Sequence, residues 1–303
     1  MRNWNTPLQQ SKLEAVKVVL EEYDEYKPLT LRTIYYRLVG RGIIDNNLSQ
    51  YQELCNLLVW AREAGEISWE DIEDRTRRFY VYSHYINIVD FIESEIEGFL
   101  NPGDYKPDLQ YGQPRHIEVW VEKEALSGVF ISAAFQYGVS VLPMRGYGSA
   151  TILNDYVNRL AKKDKEGIIL YFGDFDPSGR NIFKTLPNRI ERIGVSHKVG
   201  LKWIALTEEQ INKYKLPVKP EAIKLKDTRT AKHVAQHGYL AVELDALEPA
   251  VLESMIEEAI INELDANLYN AQVDAYQRDK ERLEKKRPEI ERLLQDYIKG
   301  GDW

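Results

Sequence analysis

The chain has 303 residues, 44% hydrophobic and 29% charged, and its 40 Lys and Arg against 48 Asp and Glu leave a formal net charge of −8. That profile excludes a disordered tail, a collagen and a membrane protein, because the longest apolar runs, such as Ile168 to Phe172, fall far short of the roughly 20 residues a bilayer span needs. Met1 to Thr6 offers no signal-peptide core and the one cysteine, Cys55, no disulfide framework, so the expected compartment is the cytoplasm and Cys55 reads as a small buried hydrophobe.

In chain order, Leu13, Val16, Val19 and Leu20 at helical spacing predict a helix over 8–26 that ends before Lys27-Pro28. Thr30 caps a second helix with Ile34, Tyr35 and Leu38 on one face and Gly40 and Gly42 at its close. A third spans about 48–64, with Leu54, Leu57, Leu58 and Ala61 inward and Gly65 as its stop. Residues 66–82, ending in Phe79-Tyr80-Val81-Tyr82, read as a short strand or wing, so this region has the outline of a winged helix-turn-helix. Another helix is expected over 85–100, followed by a turn-rich linker through Pro107 and Pro114.

Beyond the linker, strands at 117–121, 139–142, 167–172 and 201–206 alternate with helices at 124–137, 150–161 and 177–193. Such alternation predicts a parallel sheet covered on both faces, with its ligand beyond the carboxyl ends of the strands. From Leu247 the chain reads as helical again and ends in a charged amphipathic helix over 281–295, a surface for packing or for oligomer formation. The expected fold class is therefore α/β, a Rossmann-like parallel sheet with an all-α, winged-helix N-terminal part and C-terminal helices.

The charge is unevenly spread. Residues 162–233 carry 16 basic and 9 acidic groups, and residues 234–303 carry 8 and 16. A basic middle between acidic segments suits a local polyanion site, or equally a face of solvated lysines.

Two of the expected strands deliver carboxylates at their C-terminal ends: Val119-Trp120-Val121 runs into Glu122-Lys123-Glu124, and Leu170-Tyr171-Phe172 into Gly173-Asp174-Phe175-Asp176-Pro177-Ser178-Gly179. In a parallel sheet both ends lie on one edge, so Glu122 can face Asp174 and Asp176. Three such carboxylates repel unless a cation lies between them, and Mg²⁺, with Mn²⁺ as the alternative, is the hard cation for oxygen ligands. The structural alternative is that Asp176 before Pro177 is a helix cap and Glu122-Lys123-Glu124 an exposed helix start.

As a set these residues resemble the Toprim domain, and within it the A subunit of type IIB topoisomerases (topoisomerase VI) and the related meiotic double-strand-break transesterase, in their short stand-alone Mini-A form. Trp120-Val121-Glu122-Lys123-Glu124-Ala125 and the Gly173 to Gly179 segment are similar to that family's two acidic motifs, and Ala205-Leu206-Thr207, Tyr214 to Pro217, Lys226 to Arg229 and Val242 to Leu247 follow its order. Leu31-Arg32-Thr33-Ile34-Tyr35-Tyr36-Arg37 resembles the family's nucleophile motif, with Thr33 in place of an acidic residue.

The resemblance implies a winged-helix DNA-binding domain over 1–100, a linker over 101–115, a Toprim domain over 116–267 and a C-terminal helix over 268–303. It implies Tyr36 as nucleophile, Arg32 as its cationic helper, and Glu122, Asp174 and Asp176 as Mg²⁺ ligands. It further implies double-stranded DNA as substrate, a homodimer in which the tyrosine of one copy works with the metal site of the other, a 5′-phosphotyrosyl product and association with nucleoid, phage or plasmid DNA. Strand passage in the family needs an ATP-hydrolysing B subunit, and no P-loop stands in this sequence. A hydrolytic Toprim nuclease and a catalytically silent DNA-binding dimer are the competing expectations.

Arg37, Lys123, Arg145, Lys226 and Arg229 are candidate DNA contacts, as are Arg75, Arg77 and Arg78, for which solvated surface is the alternative. Arg145-Gly146-Tyr147-Gly148-Ser149 reads either as a phosphate cradle or as an ordinary strand-to-helix turn. His233 and His237 are four apart but lack a third zinc-type ligand, so packing is expected of them.

Overall fold

The computed structural model describes residues 6–73, 88–99, 101–195, 198–220, 223 and 228–299. In chain order the helices are α1 (Pro7–Glu22), α2 (Leu31–Gly40), α3 (Leu48–Glu63), α4 (Ile88–Gly98), α5 (Ser127–Phe135), α6 (Ala150–Lys163), α7 (Pro177–Ile193), α8 (Glu208–Tyr214), α9 (Thr228–His237), α10 (Pro249–Ile261) and α11 (Ala266–Lys299). The strands are β1 (Leu29–Thr30), β2 (Ile72–Glu73), β3 (Arg115–Val121), β4 (Ser140–Pro143), β5 (Glu166–Phe172) and β6 (Val199–Ala205). The chain forms two compact units, one of 1–77 with 114–263 and the other of 78–113 with 264–303.

In the first unit the local rules act as the sequence predicts. Thr30 accepts a hydrogen bond from Thr33 N at the start of α2, and Asn47 accepts one from Gln50 N at the start of α3. Leu13, Val16, Val19, Ile34, Leu38, Leu57 and Leu58 bury themselves completely where α1, α2 and α3 meet. Of the short strand or wing expected over 66–82, the structure describes the part up to Glu73. Residues 69–73 form a single 3₁₀ turn and β2, which pairs in parallel with β1, and residues 74–82 lie outside the described residues. Cys55 is half-buried rather than buried.

The expected parallel sheet is present, four-stranded, in the order β4-β3-β5-β6. Alternation along β3 sends His116, Glu118 and Trp120 to one face and Ile117, Val119 and Val121 to the other. Trp120 meets Tyr156 of α6 edge to face at 5.1 Å within a core shared with α7, while on the opposite face Phe130 of α5 meets Phe172 at 4.9 Å and α10 packs on α5. Glu118 is fully buried and satisfied, accepting both arms of Arg159 at 3.0 Å and the Trp120 indole N–H at 3.0 Å. The helix expected over 124–137 opens instead with a 3₁₀ turn at Glu124–Leu126 before α5.

In the second unit α4 lies against α11. Tyr105 donates to Asp279 Oδ2 at 3.1 Å, and the Gln113 side chain and Asp265 backbone exchange bonds of 2.9 and 2.8 Å. The charged helix expected over 281–295 is one part of α11, which runs for 34 residues and continues through Pro288. Among the described residues no helix is long and apolar enough to cross a membrane.

Candidate functional site

Adjacent strand ends bring two of the acids together. β3 and β5 stay in register as far as Val121 and Phe172, so Glu122 and Gly173-Asp174 leave the sheet side by side. Glu122 N donates to the Phe172 carbonyl at 2.9 Å, and Asp174 N donates to Glu122 Oε2 at 3.1 Å. Glycine makes the close approach possible. A methyl group on Gly179 would stand 2.4 Å from the Asp174 carbonyl oxygen and 2.9 Å from Glu122 Oε2, and one on Gly173 would stand 3.0 Å from the same carboxylate oxygen. Burial, and next the charge of Asp174, push Glu122 up to about 8.

Asp176 realises its structural alternative. Its Oδ1 accepts from Gly179 N at 2.7 Å and caps α7, with Pro177 in the first turn. Burial raises its carboxyl pKa, opposed in part by that hydrogen bond and reinforced by Asp174. Asp174, 6% exposed, accepts from Leu244 N at 2.8 Å through Oδ1 and faces Lys123 Nζ at 3.0 Å through Oδ2.

Two further acids reach this edge that the sequence did not single out as site residues. Phe175 and Val242 exchange backbone bonds of 2.9 and 3.1 Å, an isolated antiparallel bridge that draws the 242–245 segment alongside the Asp174 segment. It delivers Glu243 and Asp245. Lys123 Nζ then lies 2.9 Å from Glu243 Oε2 and 3.4 Å from Asp245 Oδ1, and Lys219 Nζ lies 2.7 Å from Glu243 Oε1. Arg32 of α2 closes the cluster, paired with Glu243 and, through Nε at 2.5 Å, with Asp245 Oδ2. Burial opposes the Arg32 charge, but Asp245, Tyr36 and Asp174 outweigh it and raise its pKa. The Asp245 carboxylate is 1% exposed, and neither of its oxygens accepts a hydrogen bond among the described residues, so ion pairs alone hold it.

Tyr36 stands one helical turn after Arg32 and is 3% exposed. Burial raises its phenol well above the ordinary value of 10; Arg32 opposes the shift, and Asp245 and Asp174 add to it. A cavity of about 270 Å³ opens beside it on Arg32, Tyr51 and Lys219.

The candidate DNA contacts fare differently. Arg37 is buried, 2% exposed, and donates to the carbonyls of Asp245, Ala246 and Leu247 at 3.3, 2.7 and 2.9 Å while pairing with Glu248. It is a strut between α2 and the 245–248 segment, not a surface cation, because carbonyl oxygens inside the fold satisfy it better than solvent would. Lys123 is likewise committed to carboxylates. Arg145 projects outward at a positive φ of 51°, its Nε 3.2 Å from Glu124 Oε2. Arg75, Arg77, Arg78 and Lys226 lie outside the described residues, and Arg229 is in the first turn of α9 with its side chain outside them.

The 145–149 segment is a turn in which Gly146 and Gly148 hold φ of 87° and 65°, and Ser149 caps α6 by accepting from Ile152 N. Arg189 of α7 donates to the carbonyls of Tyr147 and Gly148. His233 is buried with Nε2 2.8 Å from the Leu240 carbonyl, and His237 Nδ1 is 3.1 Å from Glu208. Both rings pack on Phe175, at 5.7 and 5.1 Å, which is the packing role expected of them.

The edge thus gathers carboxylate oxygens, with Glu122 shifted upward and Asp174 and Asp245 buried, and with Arg32, Lys123 and Lys219 paired among them. That donor chemistry fits a hard divalent cation. Among the described residues no three acidic, histidine or cysteine side chains already surround one point as a finished metal cage, since Asp176 Oδ1 is used as a cap and Lys123 lies against Asp174. No protein-family model matches the chain, and no curated protein matches it.

Proposed function

We propose that this chain cuts DNA by transesterification, in the manner of the type IIB topoisomerase A subunits that its motifs resemble, with a winged-helix part supplying Tyr36 and a Toprim sheet supplying the carboxylates. The Tyr36 oxygen forms a bond to phosphorus while the bond from phosphorus to O3′ breaks. The phenolic proton passes to a basic group or solvent, and O3′ takes up a proton and leaves as a hydroxyl, so the other product is a 5′-phosphotyrosyl end. One phosphodiester replaces another, so the cut itself draws no energy from ATP.

The observation that carries this reading is the ion-paired cluster joining the tyrosine helix to the carboxylate edge: Arg32, one turn from Tyr36, pairs with Glu243 and Asp245, and these pair with Lys123, which also holds Asp174. Glu122, Asp174 and Asp176 would hold Mg²⁺ or Mn²⁺, which when bound supplies positive charge to the scissile phosphate and the departing oxygen. Arg32, partly exposed and carrying a planar fork of donors, orients a phosphate oxygen beside Tyr36. Its present acidic partners keep it extended toward that edge. Tyr36 must turn outward to react, because a buried phenol of raised pKa is a poor nucleophile.

That burial favours a second reading, hydrolysis by an activated water with the same carboxylates and no covalent intermediate. One assay separates the two. Supercoiled plasmid is incubated with the protein and Mg²⁺ or Mn²⁺ and quenched with denaturant. DNA linked to protein, abolished by Tyr36→Phe, is the expected result; protein-free nicks that survive Tyr36→Phe but vanish with Asp174→Ala would establish hydrolysis, and binding without cutting would remove both. A homodimer is part of the proposal, as is an ATP-hydrolysing partner for strand passage. Mixing Tyr36→Phe and Asp174→Ala chains assigns the reacting pair: nicking by the mixture places tyrosine and acids on different copies, and silence places them on one.

A further inference from the structure

A second cleft, of about 550 Å³, lies between α7, α9 and the end of β6. Its lining includes Arg180 and Lys184 of α7, Lys232 of α9, and the rings of Phe183, Trp203 and His237, with no Asp or Glu among the described lining residues. Among the described residues, Arg32, Lys123 and Lys219 at the carboxylate edge each face a carboxylate. In this cleft the balance reverses. Among the described residues Arg180, Lys184 and Lys232 make no ion pair, and all three are exposed. Of the acids beside the lining, Glu208 is held by His237 Nδ1 at 3.1 Å, and Asp176, next to Pro177, accepts from Gly179 N at 2.7 Å through Oδ1. In a chain of net charge −8, three uncompensated cations around one concavity are a place where an anion lowers the free energy.

Aromatic surface makes the site more than a basic patch. The Arg180 guanidinium lies over the Trp203 ring at 4.9 Å and near the Phe175 ring at 5.6 Å, and Trp203 is itself half-buried against Tyr171 and Phe183 at 5.4 and 5.3 Å. A guanidinium set on an aromatic ring presents its other face as a platform on which a planar base can stack. Arg180 and Lys184 are four residues apart, hence lie on one stripe of α7 about 6 Å apart along the axis, and can meet successive phosphates of an extended strand. Lys232 supplies a third cation from the opposite wall.

We infer that this cleft is a binding site for a single-stranded nucleic-acid segment, its phosphates on Arg180, Lys184 and Lys232 and one base stacked on the layer formed by Arg180 and Trp203. The site is independent of the cleavage reading: it uses neither Tyr36 nor the carboxylates. A free mononucleotide shares the chemistry of phosphate plus base, but three cations spread over two elements outnumber the charge of one phosphate, which favours a strand.

The test is fluorescence anisotropy of a labelled eight-residue oligo(dT) in EDTA, so that failure of metal-dependent cutting cannot affect the result. The exposed-site triple variant Arg180→Gln, Lys184→Gln, Lys232→Gln is expected to melt like the parent and to bind at least tenfold more weakly at 50 mM salt. Its slope of log affinity against log salt should be shallower by about 2, three contacts at about 0.7 each for a single strand. The single variant Arg180→Lys keeps the charge, so it should retain the slope and lose about three- to tenfold in affinity with the stacking platform. Parental affinity and slope in the triple variant would overturn the assignment. Competition by dTMP as effective as by the oligomer would make the cleft a mononucleotide pocket, and an eight-base-pair duplex that binds as well and is weakened as much would make it a duplex footprint; either outcome overturns the single-strand proposal.

Discussion

Glu122 sits in a half-buried niche beside Asp174, where its own charge is opposed, and its carboxyl is pushed up to about 8 against 4.5 in an unfolded chain. The fold therefore binds a proton that the unfolded chain has released between those values, so this contribution to stability is fully present below about pH 4.5 and is lost as pH rises through 8. Without divalent cations, the melting temperature of the parent should fall between pH 5 and 8 relative to that of Glu122→Gln, with a difference at pH 8 on the scale of 1–3 kcal/mol, as for a buried group without full compensation. Parallel curves would refute the raised carboxyl. Gly179 gives a second residue-scale expectation. Gly179→Ala sets a methyl group 2.4 Å from a backbone oxygen and 2.9 Å from Glu122 Oε2, and neither the strand end nor the helix start can recede cheaply, so a loss of about 1–3 kcal/mol in denaturant titrations is expected.

At the scale of the element, the first turn of α7 separates two roles of one side chain. Asp176→Asn keeps an oxygen to accept from Gly179 N, whereas Asp176→Ala removes the cap and should cost about 1 kcal/mol. If Asp176 also serves as a cation ligand, the Asn variant keeps parental stability yet loses divalent binding measured by calorimetry; if it only caps the helix, binding survives in both variants. Arg37 carries the corresponding test for α2. Its guanidinium gathers three carbonyl oxygens and Glu248, so Arg37→Met leaves buried acceptors unmet and should destabilise the first unit by about 2–4 kcal/mol, read as a shift in the urea midpoint. A surface phosphate contact would instead leave stability unchanged and weaken DNA binding. The helix starts at Thr30, Ser149 and Asp176 and the strands alternating with them were legible because capping and hydrophobic period are local. The burial of Arg37 was not, since its acceptors lie more than 200 residues along the chain.

For the molecule as a whole, the acidic sum and the internal use of its cations set the terms on which a polyanion can bind. Arg32, Arg37, Lys123 and Lys219 are already opposed by carboxylates or carbonyls, which leaves a modest basic surface. DNA binding should be weak and electrostatic: for about four phosphate contacts, affinity for duplex DNA falls on the order of 100-fold between 50 and 200 mM salt. Anisotropy titrations that show no salt dependence would count against a nucleic-acid partner altogether. The charge partition in the sequence places the basic excess in residues 162–233. It did not reveal which cations remain free, because neutralisation depends on side chains brought together from different parts of the chain.

What the sequence determined by itself was the order of elements, the parallel sheet and the placing of Glu122 and Asp174 at strand ends on one edge, all consequences of short-range periodicity and of the rule that parallel strands end on one edge; that the two strands are neighbours is a matter of the sheet order. What only the tertiary structure decided was the company those acids keep. The bridge between Phe175 and Val242 brings in Glu243 and Asp245, Arg32 and Lys123 close on them, and Arg37 turns inward instead of toward solvent. No local pattern encodes such pairing, because ion pairs form between whatever charges the folded backbone brings within reach, whatever their separation along the chain.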